Sequence, residues 1–385
     1  MIWIIVFFFF SFINGYKFQL HPFEKRIAYI SNLKNLDLIN PDILQDFICL
    51  LDSHPLLIFK GMHNISPQSF LDFAKLFDKY RDEEAIQNPD KYPHQMLQPF
   101  DQFPECKHVA PRGNVELQNY YNIKNLIIKP QDHFIDKYVW HSDMLGHEYK
   151  LSNVITAFYV LQQPLIGGDT DFISGETIYE KLSLEEQKAS KNMLIEINRR
   201  KFVMNNLETD YAGVNRLEHF DEMEEGNTQI PLVYAPDSIF EKPRVLLMPT
   251  FFERVVGWSI SDSRNWIKKF MIEKVLPHRI SIQWKKGDLA IFNNRRFIHS
   301  STPARNYLDN SDSSSRLLLQ TFIPTKKPIL SFYPRKIDVY SCFNVGWIKD
   351  QETSIISAHN KIKFAEQQAK KNDESITDNV YVFKK

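Results

Sequence analysis

The residues best suited to chemistry are His141 and Asp143, in Trp140-His141-Ser142-Asp143, and His299, in Phe297-Ile298-His299-Ser300. An imidazole and a carboxylate one residue apart share a face of an extended segment, because side chains alternate along a strand. Alone, such a pair is near chance in a chain with 12 histidines; a surface ion pair or a core histidine with a polar neighbour would explain it as well. The distant second histidine changes the balance. Two imidazoles and one carboxylate make the facial set that suits iron(II), with open positions for a bidentate 2-oxo acid and for oxygen. Zinc tolerates the same donors, so ligand identity alone does not fix the metal.

Two further residues fit an organic anion beside such a metal. Arg316 follows His299 by 17 residues, in Ser315-Arg316-Leu317-Leu318-Leu319. An arginine at the head of an apolar run is costly to bury without a partner, and its planar guanidinium matches a carboxylate. The competing reading is an exposed edge-strand arginine. Thr170 lies in Gly167-Gly168-Asp169-Thr170-Asp171-Phe172. The glycines permit a tight turn that brings its hydroxyl toward the same carboxylate. Phosphate cradling is the rival for this turn, but no Gly-Lys-Ser or Gly-Lys-Thr follows.

These side chains need a rigid scaffold. Leu56 to Gly61, ending at a turn, and Ile155 to Val160, Ile280 to Trp284, Leu289 to Phe292 and Arg316 to Phe322 read as short strands. Ser66-Pro67 reads as a helix start, with Phe70, Phe73, Leu76 and Phe77 facing a core. Ser261 to Leu276 reads as a helix capped by Ser261. Residues 81–135 are polar, carry scattered prolines and read as an irregular insertion or lid. The tail from 351 to 371 reads as a surface helix, within a helical extension over 341–385. Short strands, long loops and few helices predict a mainly β chain with flanking helices (α+β), a β-sandwich or barrel rather than a βαβ array.

The bulk composition agrees. The 385 residues are 43% hydrophobic and 24% charged, as in a globular protein with a sizeable core. Formal net charge is zero and no basic stripe is visible, so nucleic acid is not an expected partner. Residues 2–13 form an apolar run too short for a bilayer, which needs about 20. With Gly15 beyond it, residues 1–15 read as a secretory signal peptide, although the run lacks a leading Lys or Arg; a buried N-terminal strand is the alternative. A real signal implies the secretory pathway or the extracellular space; without one, the cytoplasm. The three cysteines, Cys49, Cys106 and Cys342, do not make a disulfide framework.

Taken in order, these segments resemble the TauD/TfdA family of 2-oxoglutarate-dependent dioxygenases. The resemblance spans roughly Leu56 to Pro324, within a domain placed at 16–340. It includes Leu56 to Gly61, Ser66-Pro67, Trp140 to Asp143, Gly167 to Thr170, Ser174-Gly175, Tyr179 to Leu182, Pro231 to Val233, Arg254 to Gly257, Asn294-Arg295, His299 and Arg316. It implies a double-stranded β-helix (jelly-roll) core. It implies Fe(2+) held by His141, Asp143 and His299, and 2-oxoglutarate held by Thr170 and Arg316. It further implies consumption of O2, with ascorbate as an optional reductant, and release of succinate and CO2 as a small organic substrate is hydroxylated. Assembly into a homo-oligomer is compatible with it.

One departure bears on the substrate. In taurine-oxidising relatives a second arginine, four residues past the first, grips the sulfonate; here that position is Gln320. Two other readings stand beside the hydroxylase: an enzyme acting on a betaine or trimethyl-lysine type substrate, and a non-catalytic jelly-roll binding protein.

Overall fold

The computed structural model describes residues 11–13, 16–88, 103, 105–124, 127–128, 140–143, 153–197, 228–235, 245–246, 252–302, 315–327, 329–332 and 380–383. In chain order its strands are β1 (Ser11–Ile13), β2 (Tyr16–Leu20), β3 (Ile27–Ser31), β4 (Leu56–Phe59), β5 (Val109–Gly113), β6 (Ile155–Gln162), β7 (Thr170–Ser174), β8 (Leu194–Ile197) and β9 (Thr228–Pro231). There follow β10 (Val233–Ala235), β11 (Val245–Leu246), β12 (Phe252–Val255), β13 (Ile280–Ile282), β14 (Leu289–Asn293), β15 (Phe297–Ser301), β16 (Leu317–Phe322), β17 (Ile329–Phe332) and β18 (Val380–Phe383).

The largest sheet has the order β1-β2-β3-β4-β14-β6-β16-β5, antiparallel except where β3 meets β4. Its central strands Leu56-Leu57-Ile58-Phe59 and Leu289-Ala290-Ile291-Phe292 are continuous apolar runs, buried throughout. A strand covered on both faces needs no polar alternation. One face meets helices Pro41–Ser53 and Pro67–Lys75, through Phe47, Leu51, Phe70 and Phe73 against Leu57, Phe59, Leu289 and Leu319. The other face meets a three-stranded sheet, β13-β7-β15. Phe158, Phe172, Trp284, Phe292, Phe297 and Leu318 fill that interface. Each such side chain contributes about 1.5–3 kcal/mol on burial. Two smaller sheets, β12-β8-β9 and β11-β10-β17-β18, complete a sheet-rich fold with helices.

Local signals explain the helix starts. The Ser66 hydroxyl accepts the Ser69 N–H at 3.1 Å and Pro67 opens the helix, as its sequence predicts. Asn40 caps the helix at Pro41–Ser53 in the same way, accepting from Ile43 at 2.9 Å. Two details differ from expectation. Leu76 is 43% exposed, because the helix stops at Lys75 and Leu71 and Ala74 take the inward places. The helix placed at 261–276 begins at Ile260 under a Ser259 cap, runs regularly to Phe270, and continues through a π turn to Val275.

Part of the stretch read as an insertion or lid belongs to the main sheet. Within residues 81–135, β5 pairs with β16 along its whole length. Pro111 hides it in the sequence, and an edge position tolerates a proline. At the other end of the chain, Val380–Phe383 is a strand paired with β17 rather than part of a helical extension. The helix expected over 351–371 lies outside the described residues. Ser11–Ile13, within the proposed leader, is a strand paired with β2. Among the described residues no helix is long and apolar enough to cross a membrane, and Cys49 and Cys106 are free thiols.

Candidate active site

β15 delivers His299 from the small sheet, where it pairs with Phe172 of β7. His141 reaches the same place by a two-residue bridge. Its N–H donates to the His299 carbonyl at 2.9 Å, and the His299 N–H donates back at 2.8 Å. The two imidazole centroids lie 4.3 Å apart. Asp143 follows, its Oδ1 3.6 Å from His141 Nε2 and its Oδ2 3.6 Å from His299 Nε2. The three side chains offer ligand atoms that all lie within 4.8 Å of one another.

Buried asparagines hold Asp143 in place. Asn294 Oδ1 accepts the Asp143 N–H at 2.8 Å, and Asn294 Nδ2 donates to the Asp143 carbonyl at 2.7 Å. The same Nδ2 lies 3.2 Å from Asn153 Oδ1. Asn153 Nδ2 donates to the Thr156 hydroxyl at 2.9 Å, which turns the Thr156 proton onto Asp143 Oδ2 at 3.0 Å. Asn294 and Asn153 are completely buried, so each lost partner would leave a costly unpaired group. Neither asparagine was singled out for this role in the sequence; their partners lie too far along the chain for spacing to reveal them.

The electrostatics favour a cation. Burial pushes the Asp143 carboxyl up, but the His299 and His141 imidazoles and the Thr156 hydroxyl outweigh it, and the carboxyl stays below its ordinary value. Burial pushes the His299 imidazole down to about 3, against the pull of Asp143. Near neutral pH the centre therefore offers an ionised carboxylate and a neutral imidazole, the forms in which both groups ligate metals. Separations of 3.6 Å are too long for hydrogen bonds. His299 is ringed by Phe158, Phe172 and Phe292 at 5.3–6.0 Å between centroids. That apolar collar excludes water from one side. The donor set and its surroundings thus fit one divalent metal ion.

Thr170 and Arg316 are the residues expected from the sequence to hold the organic anion. Thr170 starts β7, is buried, and accepts a hydrogen bond from the Trp284 indole N–H at 2.9 Å. Its own proton is thereby directed to another acceptor. Trp284, read in the sequence only as the end of a strand, is the residue that orients it. Arg316 stands just before β16 rather than within it, and is half-buried. Its guanidinium lowers the Asp169 carboxyl, which burial and Asp171 together push up more strongly. The Arg316 backbone is fixed by Asn114, whose Oδ1 accepts its N–H at 2.7 Å and whose N–H donates to its carbonyl at 3.1 Å. Gln320 is buried and accepts a hydrogen bond from Arg112 Nε at 2.8 Å.

A His-x-Asp…His cluster between sheets that face across an aromatic interface is the two-histidine, one-carboxylate arrangement that suits non-haem iron(II) enzymes. The family model described as "Taurine catabolism dioxygenase TauD, TfdA family" matches residues 18–321, and the chain belongs to that family. The family's chemistry is that of a dioxygenase using Fe(2+) and 2-oxoglutarate, and the triad fits it. An alkylsulfatase of Acinetobacter baylyi (strain ATCC 33305 / BD413 / ADP1) is 29% identical over 173 residues, 42% of this chain and 50% of that protein. The chain thus spans about half the length of this curated relative. Among solved structures, AAD-2 in complex with Mn(II) and N-oxalylglycine has a TM-score of 0.55 at 14% identity, covering 78% of this chain and 96% of that one. A taurine dioxygenase from Burkholderia xenovorans has a TM-score of 0.55 at 15% identity, covering 83% and 95%. At such identities the structural likeness speaks for the fold.

Proposed function

We propose that this protein is an Fe(2+)- and 2-oxoglutarate-dependent dioxygenase that hydroxylates a small organic molecule, with His141, Asp143 and His299 as the iron ligands. The observation that carries the reading is the triad, with ligand atoms within 4.8 Å of one another, Asp143 and His299 buried, and Asp143 held by a ring of hydrogen bonds. The paired sheets around it support a jelly-roll core. Iron and 2-oxoglutarate, when bound, supply the oxidising chemistry that puts an oxygen atom of O2 into the substrate and yields succinate and CO2.

The chain's own residues do the positioning. Thr170 would help to hold the distal carboxylate of 2-oxoglutarate through its hydroxyl proton, the Trp284 indole N–H having taken one of its acceptor positions. Arg316 brings the matching positive charge. The His299 and His141 imidazoles and the Thr156 hydroxyl keep the Asp143 carboxylate ionised, while Asn294 and Asn153 help to aim it. Phe158, Phe172 and Phe292 keep water from His299, which spares the reactive centre side reactions.

Substrate-dependent succinate release by iron-loaded protein tests the reading. His141→Ala or Asp143→Ala abolishes it; full turnover after either change would refute the assignment.

The apolar N-terminus keeps its reading as a secretory leader, which would put the enzyme in the secretory pathway or outside the cell. Cleavage after Gly15 would remove β1 and leave β2 as the sheet edge. N-terminal sequencing of the mature protein checks this.

A further inference from the structure

We propose that Glu176 and Arg296 are positioning residues of the metal centre: their buried ion pair locks the register of β15 against β7, and so decides that His299 and Thr170 face the site. The proposal rests on the dioxygenase reading above. β7 ends at Ser174 and leads directly into the helix Gly175–Lys181, whose second residue is Glu176. Arg296 immediately precedes β15. In the ladder between the strands, Phe297 pairs with Ser174, Ile298 with Ile173 and His299 with Phe172. One step beyond, the Gly175 N–H donates to the Arg296 carbonyl at 2.9 Å. At that end the Arg296 guanidinium donates from Nε and Nη2 to Glu176 Oε1. Its Nη1 donates to the Asp52 carbonyl at 2.6 Å, which ties the ladder to the end of the helix Pro41–Ser53.

The other oxygen of Glu176 is held from the N-terminal side. Arg26 Nε donates to Glu176 Oε2 at 2.9 Å. Arg26 Nη1 donates to the Thr177 hydroxyl at 2.7 Å and to Glu24 Oε1 at 3.2 Å, and Thr177 passes its own proton to Glu24 Oε2 at 2.6 Å. Glu24, Arg26, Glu176 and Arg296 are each less than a tenth exposed, and their charges cancel. Burying such a group is costly, and well-packed apolar residues would do as much for stability. What the arrangement adds is direction. Two guanidinium forks on one carboxylate fix its geometry, so neither strand end can slide without breaking charge-assisted bonds.

Register matters here because side chains alternate along a strand. A slip by one residue turns a strand's whole set of side chains to the other face. On β15 it would present Ile298 or Ser300 where His299 stands. On β7 it would present Asp169 or Asp171 where Thr170 stands. The turn that carries Arg296 also carries Asn294, which holds the Asp143 backbone, and the Phe297 carbonyl accepts the Ser142 hydroxyl at 3.2 Å. His141 is bridged to His299 through the backbone. Loosening this one ladder end therefore reaches all three proposed ligands, although neither Glu176 nor Arg296 belongs to the donor set.

Calorimetric binding of Fe(2+) and of 2-oxoglutarate, with amide hydrogen exchange of the metal-free protein, tests this in Glu176→Gln. The amide offers one acceptor atom to two arginines and turns N–H donors on the other. Exchange across residues 297–301 should rise locally, and both dissociation constants should rise about tenfold. Arg296→Lys keeps the charge but not the fork; it should show the same changes to a smaller degree, and it carries the test if Glu176→Gln does not fold. Glu176→Gln combined with Arg296→Gln should lose no more than the larger single loss, because both changes open one lock. Lys60→Met breaks another partly buried pair, Lys60–Asp288, outside the ladder, and should lower the melting temperature without changing either constant. Unaltered exchange across residues 297–301, unaltered dissociation constants, losses that multiply in the double variant, or an equal loss in Lys60→Met would each overturn the proposal. Absence of Fe(2+) binding by the wild-type protein would instead refute the parent reading, and the exchange measurement, made without metal, reads the register lock independently of it.

Discussion

His141 and His299 exchange both backbone hydrogen bonds, N–H to C=O at 2.9 and 2.8 Å. The two imidazoles therefore leave mutually clamped positions, although they come from distant parts of the chain. The bridge turns a near-chance His-x-Asp pair and a lone histidine into one rigid donor set. A site fixed by backbone hydrogen bonds is preorganised, so little ordering remains to be done when a metal binds.

Asn294 is expected to matter for metal binding without touching the metal. It holds both backbone polar groups of Asp143 and is completely buried. Asn294→Ala should weaken Fe(2+) binding about 10- to 100-fold, as loss of a supporting shell usually does. It should also destabilise the fold by about 1–3 kcal/mol. Metal titration and thermal melting measure the two effects separately.

Thr156→Val removes one donor from the Asp143 carboxylate while keeping the side-chain shape. That carboxyl sits below its ordinary value, so its charge survives as pH falls until the depressed value is passed. Without the Thr156 proton the value rises. Metal affinity should then be lost at a higher pH on the acid side than in the wild-type protein. Titrations across an acid pH series check the direction.

Trp284→Phe removes the indole N–H that fixes the Thr170 hydroxyl. The KM for 2-oxoglutarate should rise about 3- to 10-fold, the cost of one neutral hydrogen bond. Succinate release at varied 2-oxoglutarate reads it.

Gly113→Ala should act on Arg316 through the backbone. A Cβ at Gly113 would lie 1.8 Å from the Arg316 carbonyl oxygen, so β5 would have to move away from β16. The expected cost is about 2 kcal/mol or more, accompanied by weaker 2-oxoglutarate binding. A lower melting temperature with a raised KM is the signature.

The residues of the His141, Asp143 and His299 cluster were legible in the sequence because they sit in short motifs of fixed order. So were the apolar strands, whose composition alone marks burial. What escaped depends on partners far along the chain. Asn294 finds Asp143 151 residues away, and Arg112 finds Gln320 208 residues away. β5 escaped for a local reason: Val109-Ala110-Pro111-Arg112-Gly113 has a proline and a glycine in five residues, which only an edge position accommodates. The helix at Pro41–Ser53 was not read from the sequence, although Asn40-Pro41, a cap followed by a first-turn proline, is open to the same argument as Ser66-Pro67. Gln320 was legible as the loss of an arginine, while the charge beside it came into view only with the register of β5 against β16.

Anaerobic titration of the metal-free protein with Fe(2+) in the presence of 2-oxoglutarate tests the central claim most directly. One ion should bind per chain, and His299→Ala should abolish stoichiometric binding while the protein remains folded by circular dichroism. Absence of stoichiometric binding by the wild-type protein, or undiminished binding by His299→Ala, would contradict the account.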